Sequence, residues 1–482
     1  MRGNVIVGVG CCALAISAVV VTARRADVVP PAAPDQAQAQ QQAPPAGQAQ
    51  PAQPAADDPV RMLVGRLDLE KYKATIKGLA QFGDRREGTD RNRRAVDWIE
   101  AQLKSYGCPT ERMTYEPPAP RGGGGGGGRG GDPARAGGAG RAGAGAAGAA
   151  GAAGAAGAAG GGARGGQAGA AGGGQGQRGA AQPPAGLLGA PGRSGRGSGG
   201  STIFGYRGRT GVSGAAGQPD ERLRALNSEP VLPGPIPQVF CTKVGSTRPD
   251  EMYILGGHMD GIGYGEGAND DASGTALVME LARVFSSPDV VTERTIRFAL
   301  WNGEEGGLRG ANAYVNQRRD LQGKQDPPGS GRYPEPKWLG MVQHDKMLWD
   351  HGMPRPDGTV SREQRLEADV NIEFQSTAKM ADEAQKLAWF FKAANEQYAT
   401  DYPAAVGNHM TNTDSGPFMN IVAAISLREN ERGSQVGAGW DPNWHQPTDL
   451  YTTYYDKDFL LGLNAAQTTL AAIAQLTGSK VK

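Results

Sequence analysis

The sequence predicts an α/β fold with a mixed, mostly parallel central sheet flanked by helices. Two observations carry this. Short apolar runs alternate with stretches of helical periodicity through the C-terminal half, and the side chains competent to bind metal gather where those runs end. A third observation sets one span apart. From about 121 to 200 the chain is almost wholly Gly, Ala and Arg, with Ala-Ala-Gly triplets, and such a composition buries no core.

In chain order, "MRGNVIVGVGCCALAISAVVVTARR" carries Arg2, an apolar stretch from Val5 to Val21 and small residues at Val21-Thr22-Ala23. This is the pattern of an export signal over residues 1–23, with an uncleaved N-terminal anchor as the alternative. Residues 24–57 are a Pro/Ala/Gln-rich linker. Order is expected from residue 58. "VRMLVGRLDLEKYKATIKGLAQ" and "NRRAVDWIEAQLKSYG" have helical spacing; in the second, Ala95, Ile99 and Leu103 recur every four residues and Gly107 stops the helix. "TERMTYEP" alternates like a strand. The insertion at 121–200 then interrupts one domain, whose first part is 58–120 and whose main part is 201–482. Its triplet repeat is too short for a solenoid and too poor in proline for collagen.

Strand patterns resume with "STIFGYRG", "IPQVFCTKVG" and "MYILGGHMD". The last leads through a loop to the helix "ASGTALVMELARVFSS". "RTIRFALWN" leads likewise to "GLRGANAYVNQRR", and "KWLGMVQHD" is a third candidate strand, preceded by the extra loop "QGKQDPPGSGRYPEPKW". A long helix "AKMADEAQKLAWFFKAANEQYA", a strand "IVAAISLRE" and a C-terminal helix "FLLGLNAAQTTLAAIAQL" complete the chain. In open α/β sheets ligands bind outside the carboxyl ends of the strands.

The formal charge of +1 over 482 residues suggests neither a nucleic-acid partner nor an acidic membrane surface. A membrane contact is expected only through the N-terminal segment. The four cysteines are Cys11, Cys12, Cys108 and Cys241, so this is no disulfide scaffold. A Cys108–Cys241 bridge is compatible with an oxidising compartment, though spacing fixes no geometry.

Any histidine site must come from His258, His344, His351, His409 and His445. His258 and Asp260 form His-x-Asp at a strand end, where residues two apart face the same way, so one can bind metal while the other orients it. Asp270 and Asp271 follow in a glycine-rich loop. Glu304 and Glu305 follow an apolar strand; adjacent carboxylates repel unless a cation compensates. His344-Asp345 and His445 end the set. Each alone reads as a solvated turn or a structural histidine. Together, two histidines and several carboxylates at strand ends suit divalent cations, and two zinc ions can share one bridging carboxylate while keeping open positions. Asp271 suits the N-terminus of the helix beginning near Ala272.

The pieces "GGHMD", "GANDDASG", "WNGEEGGLRG", "MVQHD", "TDSGPF" and "WHQPTD", in this order, resemble the M28 family of co-catalytic zinc peptidases. The resemblance covers about 58–118 and 203–482. It implies a zinc-exopeptidase-like fold and two Zn2+ per chain. His258 and Asp345 would hold one ion, Glu305 and His445 the other, with Asp270 bridging. Glu304 would be the general base and Asp260 the partner that orients His258. It further implies a cis peptide between Asp270 and Asp271. The implied function is an exported, periplasmic or extracellular peptidase acting on peptides or proteins, releasing N-terminal residues. The alternatives are a carboxypeptidase-like or glutaminyl-cyclase-like enzyme, or a non-catalytic binding protein. Three departures stand out. Asp345 is followed by "KMLWD", which leaves His344 as a rival ligand. Thr413-Asp414-Ser415 stands where members often have Ser-Asp-His. "GNHMTN" lacks a tyrosine that helps hold the oxyanion in some members, leaving His409 as a candidate for that task.

Overall fold

The first helices begin at capping side chains. Asp58 caps α1 (Pro59–Val64), and Asp68 caps α2 (Leu69–Ala80) by accepting from the Lys71 amide. The first helical stretch of the sequence is therefore two helices, because Gly65 to Asp68 end one and cap the next. Thr89 caps α3 (Asp90–Ser105), whose buried stripe includes Ala95, Ile99 and Leu103, and Gly107 follows it at φ 77°. The computed structural model describes residues 57–117, 218–262, 264–352, 361–365, 368–410, 413–429 and 441–482. The expected export signal, nearly all of the linker, the Gly/Ala insertion and the strand pattern "STIFGYRG" lie outside the described residues.

The remaining helices are α4 (Glu221–Asn227), α5 (Ala272–Phe285), α6 (Arg309–Arg318), α7 (Ala381–Tyr398) and α8 (Asp456–Leu476). The strands are β1 (Thr110–Tyr115), β2 (Ile236–Lys243), β3 (Arg248–His258), β4 (Val290–Val291), β5 (Arg294–Trp301), β6 (Lys337–His344), β7 (Val370–Phe374), β8 (Ala404–Gly407), β9 (Ala424–Arg428) and β10 (Lys480–Val481). Among the described residues, eight strands form one sheet in the order β1-β2-β5-β3-β6-β9-β7-β8. Its centre, β5-β3-β6-β9, is parallel, while β1, β2 and the β7–β9 pairing are antiparallel. The sheet is mixed, as the strand and helix alternation predicts.

Period-two alternation splits the core between the two sheet faces. Tyr253 and Leu255 of β3, with Ile296, Phe298 and Leu300 of β5, join one cluster with the helices α1, α2, α3, α5, α7 and α8. Met252, Ile254, Ala299 and Trp301 join a second with Tyr314 of α6, Trp338 and Phe418. Helix α5 is buried on nearly every side, and its buried polar side chains are paired, Thr275 with the His258 carbonyl and Glu280 with Arg283. Helix α8 is apolar enough to cross a bilayer, but 83% of its most apolar window is buried inside the protein, the position of a core helix.

The parallel centre brings the carboxyl ends of β3, β5, β6 and β9 side by side. A close approach sets α5 against them. A Cβ on Gly257 of β3 would lie 2.8 Å from the Gly274 carbonyl carbon, so glycine here lets the helix start directly beside the strand end. A disulfide joins Cys108, after α3, to Cys241 of β2, with the Cα atoms 5.7 Å apart.

Candidate metal centre

His258 closes β3, and its side chain is buried. Asp270 and Asp271 lead into α5, joined by a cis peptide bond. Asp345 follows β6. Glu304 and Glu305 follow β5 through Gly303, at φ 75°. His445 comes from the loop before α8, in a left-handed conformation at φ 55°. Six residues from five loops or strand ends thus meet with Asp270 at the centre. One Asp270 oxygen lies 3.2 Å from His258 Nε2, and the other lies 3.1 Å from His445 Nε2.

Two trios have donor atoms within 4.8 Å of one another: His258, Asp270 and Asp345, and Asp270, Glu305 and His445. Asp270 belongs to both. The donor set is mixed nitrogen and oxygen, which suits zinc. The Glu305 carboxylate supports the same fit. Its Oε1 is buried 3.0 Å from His445 Nε2 yet has no hydrogen-bond partner. The two atoms are near each other but aimed elsewhere, as two ligands of a common cation would be.

The electrostatics call for positive charge. Burial lowers the pKa of His258, but Asp271, Glu304, Asp270 and Asp345 together carry it well above the ordinary histidine range. Burial likewise opposes His445, yet Glu305 and Asp270 push it up to about 9. Burial, Glu305, Asp345 and Asp414 hold Glu304 well above the usual carboxylate range, with His258 opposing. Burial would raise Asp270, but the two histidines bring it well below that range. Carboxylates outnumber cations here, and that excess of negative charge is what draws the histidine pKa values upward. Divalent ions would supply the same charge.

The loop that carries Asp270 is held on several sides. Asp449 accepts from the Asn269 and Asp270 amides at 2.8 and 3.1 Å. The Asn269 side chain donates to Glu429 and Asp441. Arg85, fully buried, donates to the carbonyls of Gly83, Met259, Glu266 and Gly267, and so fixes the glycine-rich stretch before it. Asp271 accepts from the amides of His258, Gly274 and Lys346, which ties the strand end, the helix start and the residue after Asp345 together. It is the helix cap expected of it.

Two expectations change. The Asp260 carboxylate lies 3.8 Å from His258 Nδ1, which instead donates to the Asp260 main-chain oxygen at 2.9 Å. The carboxylate accepts from the amides of Glu304 and Glu305 at 3.1 and 3.3 Å. The strand ends at His258, so the same-face alternation on which the pairing relied does not extend to Asp260. His344 is no rival ligand. Its Nδ1 donates to the Gly256 oxygen at 3.0 Å, and its Nε2 accepts from Thr469 Oγ1 at 2.9 Å, both inside the core. His409 is half-buried beyond β8.

Three residues near the centre were not singled out from the sequence. Arg428, at the end of β9, donates to Asp345 Oδ2 at 2.8 Å. Asp449 and Asp414 lie within quoted motifs, "WHQPTD" and "TDSGPF", but nothing in those motifs gave them a task. A charged residue closing an apolar strand, as in "AAISLRE", is the signal that could have found Arg428.

Residues 239–469 match the family model described as Peptidase family M28. Among curated relatives, the chain is 26% identical over 240 residues to "probable leucine aminopeptidase 2" of Aspergillus oryzae, covering 49% of this chain and 44% of that protein. It is 40% identical over 104 residues to "Probable zinc metalloprotease" of Pyricularia oryzae, covering 19% and 20%. The chain spans less than half the length of these curated relatives. Among solved structures, the aminopeptidase from Aneurinibacillus sp. strain AM-1 superposes with a TM-score of 0.46 at 16% identity, covering 88% of this chain and 97% of that one. The likeness to peptidase family M28 thus rests on residues 239–469 of the chain.

Proposed function

We propose that this chain is an exported aminopeptidase with two Zn2+ ions, removing the first residue of unblocked peptides. The observation that carries the reading is Asp270, whose two oxygens face different histidines, as a ligand shared by two ions requires. In this reading His258 and Asp345 hold one ion, Glu305 and His445 the other, and Asp270 serves both. Bound zinc polarises a carbonyl and makes water a better nucleophile.

The chain's own residues divide the remaining work. Arg428 occupies one oxygen of Asp345 and leaves the other for the ion. Asp260 holds the Glu304 and Glu305 amides, so the loop keeps Glu305 beside His445. Glu304 is then left to take the proton of the attacking water and return it to the leaving amine. The Cys108–Cys241 bridge supports an oxidising compartment, and so export. The likeness to the leucine aminopeptidase of Aspergillus oryzae supports action at the N-terminus.

The test is digestion of matched peptide libraries, one unblocked and one N-acetylated, read by mass spectrometry. Stepwise loss of N-terminal residues from the unblocked set alone, abolished by a chelator, is the expected outcome. Equal cleavage of the acetylated set would overturn the reading.

A further inference from the structure

Asp414 stands apart from five other carboxylates around the centre. Asp260 is held by two amides, Asp270 by two histidines, Asp271 by three amides, Asp345 by Arg428, and Glu305 lies against His445. The Asp414 side chain is fully buried, and neither of its oxygens has a hydrogen-bond partner. Besides its burial, it feels the charges of His258, Asp260, Asp345 and Glu305, and Glu304 feels its own, so it lies near the centre. It belongs to neither trio of donor atoms, so its oxygens are not in place as metal ligands among the described residues.

The backbone fixes it there. The Gly416 amide donates to the Thr413 oxygen at 2.8 Å, and Ser415 Oγ lies 2.7 Å from Ser426 Oγ of β9, two residues before Arg428. A Cβ on Gly416 would lie 3.4 Å from Leu308, at the end of the loop that carries Glu304 and Glu305. The turn is therefore pinned on one side to β9 and packed on the other against the glutamate loop. The adjoining Thr413 Oγ1 is also buried without a partner.

A buried carboxylate without a donor or a cation is costly, so it marks a place where one arrives. An ammonium group meets the need: it brings one positive charge and three N–H donors. A blocked amine, being neutral, does not. We propose that Asp414 receives the α-ammonium of the peptide's first residue, and so selects unblocked N-termini. This rests on the aminopeptidase reading and adds to it the residue that recognises the free amine.

The test compares the zinc-loaded protein with D414N and D414S. The substrates are leucyl-p-nitroanilide and its des-amino counterpart, 4-methylpentanoyl-p-nitroanilide, and zinc per chain is measured throughout. The wild type should prefer the amine by about a hundredfold or more in kcat/KM, as sites built around a substrate N–H do. Both variants should keep their zinc and lose most of that preference. As a readout without turnover, calorimetry with 3-methylbutylamine should show binding weakened by about tenfold or more in D414N. A wild type without preference for the amine would sink the aminopeptidase reading, and this proposal with it. A wild-type preference that D414N and D414S retain would overturn the role of Asp414 alone. Zinc loss in D414N would also overturn it, by assigning the carboxylate to the metal.

Discussion

Arg428 Nη2 donates to Asp345 Oδ2 across 2.8 Å, with both side chains buried. Its Nε lies 3.5 Å from Glu373 Oε2 on the neighbouring strand β7. One guanidinium therefore stands between a structural acid and a candidate metal ligand. Burial raises the pKa of Asp345, but Arg428 and His258 bring it below the ordinary range, so the carboxylate stays ionised. Removing the cation leaves buried acids uncompensated. R428M should lower stability by about 3–5 kcal/mol in denaturant unfolding. Adding E373Q should recover part of the loss, so the double variant should cost less than the sum of the two single ones.

The glutamate pair separates binding from chemistry. E304Q should keep two zinc ions per chain while kcat falls by about 10²–10⁴-fold. D270N should lose zinc, because Asp270 is common to both trios. Elemental analysis beside steady-state kinetics checks both. Zinc loss in E304Q would mean that Glu304 and Glu305 have exchanged roles.

His344 gives a pH dependence that is independent of turnover. Burial pushes its pKa to about 4 from the ordinary 6.5, with the bond to Gly256 opposing. The fold holds the neutral ring, with Nδ1–H on Gly256 and Nε2 accepting from Thr469. As pH falls, the unfolded chain takes up a proton before the folded one does. The contribution is therefore full above pH 6.5 and is lost as pH drops toward 4, an effect of about 3 kcal/mol. Urea unfolding of zinc-free wild type and H344Q at pH 7 and pH 4.5 isolates the effect, because the other titrating groups are common to both: the wild type should lose more stability, or gain less, than H344Q as pH falls. Zinc-free protein keeps His258 and His445 from adding metal release to the result.

Much of this arrangement was legible in the sequence, because the central strands are continuous apolar runs and their helices carry clear stripes. Strand β7 escaped notice for a physical reason. In "VNIEF", Asn371 and Glu373 read as a polar face, yet both are buried, and Glu373 is spent on Arg428. The motif order brought the six residues of the centre to attention, but not what holds them. Arg85 lies 173 residues before His258 and reaches the metal loop through main-chain carbonyls, which leave no pattern in the side chains. The task of Asp414 was equally hidden, since a lack of partners appears only in three dimensions.

Asp260 yields the sharpest contrast between spacing and structure. Had its carboxylate oriented His258, its loss would chiefly weaken metal binding. Instead its two oxygens accept from the Glu304 and Glu305 amides, while the main-chain oxygen, which a substitution leaves in place, serves His258 Nδ1. In D260N one of those oxygens becomes an NH2 group facing an amide N–H, and two donors cannot pair. The glutamate loop should shift, moving Glu304 away from its water and Glu305 away from His445. The expected result is a fall in kcat of about 10–100-fold, with the zinc held by His258 and Asp345 retained and only the ion beside Glu305 bound more weakly. Stepwise zinc titration against a competing chelator reads this directly. Weakening of the titration step that H258Q removes, with the step that E305Q removes unchanged, would return Asp260 to the role its spacing suggests.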